Sequence, residues 1–119
     1  MNTVNTTGRQ GDVALVRVTS LPQGLEPTKR DSLDRIVLAY GERSGHAHAI
    51  RDQHVTAFRM AGSEDVAYIE VGGSGHAILS HEYESGALAE HHPLTLEPGV
   101  YRVALQREYS PEAIKRVVD

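Results

Sequence analysis

RIVLAYGERSGHAHAI, residues 35–50, places two short runs of strand character on either side of a turn bracketed by Gly41 and Gly45. The first run, 35–40, is apolar after Arg35, with β-branched and aromatic side chains, the composition of a strand. The second, 46–50, alternates: His46, His48 and Ile50 fall in one phase, Ala47 and Ala49 in the other. On a strand, residues i and i+2 project to the same side, so the two imidazoles stand side by side, and Ile50 turns their face toward the core. Two expectations follow from this stretch: a mainly β fold, and a histidine pair on an inward face.

The period holds along the chain. DVALVRV (12–18) is apolar in both phases and reads as a central strand covered on both sides. VTAFRM (55–60), VAYIEV (66–71), HAILSHE (76–82) and GVYRVALQREY (99–109) follow, separated by AGSED, GGSG and EPG. Short alternating runs between closely spaced turn signals predict an antiparallel β-barrel or a jelly-roll-like sandwich. GGSG at 72–75 reads as a hairpin turn. LPQGLEPTKRDSLD (21–34), with two prolines and a glycine, reads as a loop. In SPEAIKRVVD (110–119), Ser110 suits an N-cap, Pro111 the first helical position and Glu112 the positive end of the helix dipole, which predicts a short C-terminal helix. Residues 1–11 are polar and read as a flexible segment, leaving 12–119 as a single domain.

Composition removes several functions. A chain of 119 residues can bury a core without staples. Cysteine is absent, which excludes disulfides, a thiolate nucleophile and thiolate-held zinc. The net charge of -4 argues against a binder of phosphate backbones, and one Phe, five Tyr and no Trp leave little surface for stacking on bases. Nucleic acid is therefore not the expected partner. No apolar run approaches the ~20 residues that span a bilayer, and the first residues lack the apolar segment of a signal peptide, so a cytoplasmic protein without membrane contact is expected. Edge strands of small barrels commonly pair between copies, which predicts a homo-oligomer.

All seven histidines lie between residues 46 and 92. An isolated HxH pair is commonly two ordinary imidazoles. In HAILSHE, however, His81 shares the phase of Ala77 and Leu79 and so extends another apolar face. In HHPLTL (91–96), His92 shares the phase of Leu94 and Leu96, but Pro93 interrupts strict alternation, which leaves His91 and His92 as alternatives for a fourth inward ring. His46, His48, His81 and His91, with His92 in its place, would suit one divalent transition metal, with Zn, Fe, Mn and Ni all open. His54 and His76 read as surface residues. Glu82 and Glu84 alternate with His81 and Tyr83 and read as solvated. In QREY (106–109), Arg107 and Tyr109 continue the phase of Tyr101, Val103 and Leu105, so a guanidinium and a phenol, with Gln106 beside them, would bind a small anionic ligand at the rim of the same cavity.

The glycine turn before HxH and the later LEPGVYRV segment make residues 34–105 resemble the cupin superfamily. That resemblance implies a small jelly-roll barrel, His46 and His48 as the first motif's pair, Asp52 near the place of its carboxylate, and Pro98-Gly99 as the second motif's turn. Three residues after Gly99, where cupins place their last histidine, this chain has Arg102, so His81 or His91 would have to substitute. The chain is also similar to a group of small bacterial proteins with a GHxH motif, a further histidine, an HxP segment and a terminal QREY, read here as GHAH (45–48), His81, HHP (91–93) and QREY.

Three functions fit. The first is a metal-binding β-barrel with chemistry on, or sensing of, a small ligand, which leaves a metal-dependent, cupin-like enzyme open. The second is an oligomeric assembly protein, phage-related in character, whose HxH pairs meet around a metal on a symmetry axis. The third is a metal-free protein-interaction module. No GxSxG elbow, phosphate loop or dinucleotide fingerprint is present.

Overall fold

The computed structural model describes residues 2–4, 6–40, 46–73, 75–83 and 92–105. In chain order the strands are β1 (Asn2–Val4), β2 (Thr7–Gln10), β3 (Val13–Val18), β4 (Glu26–Pro27), β5 (Ile36–Tyr40), β6 (His46–Ile50), β7 (Val55–Arg59), β8 (Val66–Val71), β9 (Ala77–Tyr83), β10 (Leu94–Leu96) and β11 (Gly99–Leu105). They form two sheets, ordered β1-β10-β9-β6-β5 and β2-β3-β11-β8-β7-β4. Pairing is antiparallel except where β1 lies parallel to β10. The fold is thus mainly β and of the sandwich kind that the alternation predicts, and the sheets do not close into a barrel. Among the described residues no helix is long and apolar enough to cross a membrane. The expected C-terminal helix lies outside the described residues.

The core follows from the period-two pattern. Val13, Leu15, Val55, Ala57, Ile69, Val71 and Tyr101 from one sheet meet Ile36, Ile50, Ala77, Leu79, Leu94 and Leu96 from the other, all buried in one cluster. DVALVRV is an interior strand, between β2 and β11, and its first half is buried in both phases, as its sequence suggests. Tyr101 is fully buried, and its hydroxyl donates to the Glu97 carbonyl at 2.6 Å, tying the core to the turn that precedes β11. Burial raises the pKa of this phenol, with smaller contributions from Arg17, Glu97 and the hydrogen bond.

Two local expectations are corrected. The GGSG segment does not close a hairpin, because β8 belongs to one sheet and β9 to the other. It is an arch between the layers, and it runs beside the arch at 51–54: Gly72 N donates to His54 O, the His54 ring bonds His76 O at 3.1 Å, and Asp52 Oδ1 accepts from Ile78 N. A Cβ on Gly72 would stand 3.3 Å from His54 O, and Gly73 has a positive φ of 67°, so these glycines serve a close crossing. Carbonyls freed at the neighbouring arch are taken by Arg30, whose two amino groups donate to Asp34 O, Arg51 O, Asp52 O and Val55 O. The second concerns residues 1–11: the stretch read as flexible contributes β1 and β2, and Gln10 at the end of β2 is buried.

Candidate histidine site

The site grows from the pairing of β6 with β9. Their register sets Ile50 opposite Leu79, His48 opposite His81 and His46 opposite Tyr83. Because these pairs share the inward phase, the apolar core continues directly into a row of four rings. His48 and His81 are 4 % and 3 % exposed, His46 is partly buried and Tyr83 is exposed, so the row runs from the core out to solvent. The rings of His48 and His81 stack with centroids 4.5 Å apart and planes 19° apart. His46 meets His81 edge-on at 5.3 Å and Tyr83 at 4.5 Å. Three of the four expected imidazoles are therefore neighbours, and the phase of Ile50 is inward as predicted.

A residue that the sequence reading passed over completes the arrangement. Gln10, 2 % exposed, reaches from the other sheet and puts its Oε1 2.8 Å from His48 Nδ1. Its Nε2 donates to Leu79 O and to His92 O, each at 2.9 Å. Pro93 brings no N–H to this end of β10, and the Gln10 amide supplies donors there. Nothing local marks Gln10 in sequence, since it is a polar residue in a polar segment.

The opposite face of the same strands carries a different chemistry. Glu82 is 3 % exposed, on the far side of the sheet from His81, so it is neither solvated nor turned toward the histidines. Its carboxylate accepts from Arg35 Nη1 at 3.2 Å and from Arg51 Nε and Nη2 at 3.1 and 2.9 Å. Arg35 also donates from Nε to Asp31 at 2.9 Å. Burial would lower the Arg35 pKa, but the hydrogen bonds and charges of Asp31 and Glu82 raise it. Burial pushes the Asp31 carboxyl up, and bonds from the Arg35 and Leu33 N–H groups and the Arg35 guanidinium outweigh this and hold it low. Asp52, matched to the cupin carboxylate, instead holds the arch through Ile78 N.

The remaining candidates are placed as follows. His54 and His76 are exposed, and His92 exposes its ring while its carbonyl meets Gln10. His91, Glu84, Gln106, Arg107 and Tyr109 lie outside the described residues. Among the described residues no group of three or more His, Asp or Glu side chains is placed to hold a metal ion. The stacking explains this: lone pairs lie in the plane of each ring, so two nearly parallel rings aim side by side rather than at one point.

A two-layer β-sandwich with an inward histidine row is the class that fold and site define. The chain belongs to the family described as Domain of unknown function (DUF8820), whose model matches residues 9–106 and so takes in Gln10, His46, His48, His81 and His91. No curated protein and no solved structure matches it.

Proposed function

We propose that the protein is a small metal-binding β-sandwich in which His46, His48 and His81, with His91 as a further donor, hold one divalent transition metal. The observation that supports this reading is the gathering of His46, His48 and His81 in one inward row with an acceptor already placed behind His48; binding would turn the His81 ring out of its stack on His48 so that the lone pairs converge. Ligating imidazoles are commonly held this way, with the nitrogen remote from the metal fixed by a neighbouring acceptor. Among the described residues the donors are all imidazole, because Glu82 and Asp52 are engaged elsewhere. Such a set favours Zn, Ni or Fe over Mn, which prefers oxygen. When bound, the metal supplies Lewis acidity toward a small anionic ligand. Arg107, Tyr109 and Gln106 are the sequence's candidates for orienting that ligand.

The test is metal content by plasma mass spectrometry on untagged protein, wild type beside the His46→Ala/His48→Ala variant, with the oligomeric mass measured in parallel. One equivalent of metal per chain, lost in the variant, is the expected result. A fraction equal to one ion per oligomer would move the site to a symmetry axis and favour an assembly protein. The stacked imidazoles also fit a second reading, a metal-free interaction module in which they are core elements. Absence of metal in both proteins after reconstitution would leave that reading and sink the first.

A further inference from the structure

Gln10 stands on β2, an edge strand of one sheet, yet its amide hydrogen bonds go to the other sheet. Both N–H groups of its Nε2 point at backbone carbonyls, which can only accept, so the amide has one orientation. Its Oε1 is then an acceptor facing His48 Nδ1, and the contact at 2.8 Å requires a proton on Nδ1. In the neutral ring this makes Nε2 the lone-pair atom. A solvent-exposed histidine has no such constraint, and its proton distributes between the two nitrogens. The bond to His92 O has a second effect: it ties the backbone just before β10 to the same side chain that orients His48.

We propose that Gln10 is the positioning residue of the histidine site, fixing the Nδ1–H tautomer of His48. Its consequence for metal affinity rests on the metal-binding reading above, whereas the tautomer does not. A polar side chain buried to this degree needs hydrogen-bond partners for its amide. Both its N–H groups and its oxygen are engaged, on two carbonyls and one imidazole.

The experiment compares full-length, metal-free wild type, Gln10→Met and Gln10→Glu by long-range proton–nitrogen NMR of the histidine rings, followed by titration with zinc. Wild-type His48 should show the Nδ1–H pattern. Gln10→Met removes the acceptor, should shift His48 toward Nε2–H, and should weaken zinc binding about 10- to 100-fold. Gln10→Glu keeps an acceptor for Nδ1–H but loses both donations, so it should melt at a lower temperature while retaining the tautomer and most of the zinc affinity. That rescue separates positioning from a structural role, and it decides the matter even if Gln10→Met fails to fold. An Nε2–H pattern for His48 in wild type, or unchanged tautomer and affinity in Gln10→Met, would overturn the proposal. A Gln10-dependent Nδ1–H tautomer in a wild type that binds no zinc would refute the metal reading and leave the role of Gln10 standing.

Discussion

Replacing Glu82 with glutamine should destabilise this protein more than any other single charge neutralisation on the outer face of its first sheet. The carboxylate is 3 % exposed and receives three hydrogen bonds from two guanidiniums. Glutamine preserves the shape and one accepting oxygen, but it turns an N–H toward the donors of Arg51 and removes the charge that compensates Arg35. Breaking one partner of a buried ion pair costs about 3–5 kcal/mol. The low end applies here, about 3 kcal/mol, because Arg35 keeps Asp31 at 2.9 Å and Arg51, 47 % exposed on its side chain, can turn to water. At about 2.1 cal/mol/K of unfolding entropy per residue, 119 residues give about 0.25 kcal/mol/K, so the melting temperature should fall by about 12 °C. Calorimetry and urea unfolding of wild type, Glu82→Gln, Arg35→Met and the double variant Arg35→Met/Glu82→Gln would measure it. The double variant should cost less than the two single variants together, because each single change leaves a buried partner uncompensated while the pair itself is lost only once. A loss below about 1 kcal/mol for Glu82→Gln, or singles that simply add, would refute the reasoning and mark the cluster as an exposed pair in energetic terms.

Other expectations concern single contacts. Tyr101→Phe removes the bond to Glu97 O and should cost about 1–2 kcal/mol. Because burial raises the phenol above its ordinary 10.0, wild-type stability should also fall as pH rises past that value, and the variant should fall less on the same base-unfolding curve. Asp31 has a lowered pKa, so its contribution is full above the ordinary 3.8 and is lost as pH falls through the lower folded value; Asp31→Asn should flatten that part of an acid-unfolding curve. Gly99→Ala forces a methyl to 2.7 Å from Arg17 Nη2 at a backbone φ of 149°, and a loss of about 1–3 kcal/mol should appear in urea unfolding. An unchanged midpoint would mean that β11 can begin in another conformation.

What sequence reveals here depends on how far the cause lies from the residue. The strands from 12–18 to 99–105 are legible because alternation and β-branching are local, and the inward phase of His48 and His81 is legible for the same reason. GGSG looks like a hairpin because an arch and a hairpin use the same residues; only the partners of β8 and β9 tell them apart. Glu82 reads as solvated because its charge is visible and its compensators, Arg35 and Arg51, are far off in the chain. β2 and Gln10 are illegible because TGRQ has no apolar period, and the reason for burying its last residue is an imidazole in another sheet. β4 is two residues long, too short for any period to register.

The place of β11 bears on how the chain is made. In the order β2-β3-β11-β8-β7-β4 it is, among the described residues, the strand that links the β2-β3 ribbon to the β8-β7-β4 ribbon, and it pairs Leu105 with Val13. During synthesis the hairpins β2-β3, β5-β6 and β7-β8 can form as they leave the ribosome, each with its apolar face open. The second layer cannot close over them until residue 105 has emerged. A nascent chain stalled before residue 99 therefore presents two unjoined ribbons with sticky edges, a form that chaperones hold and proteases clear.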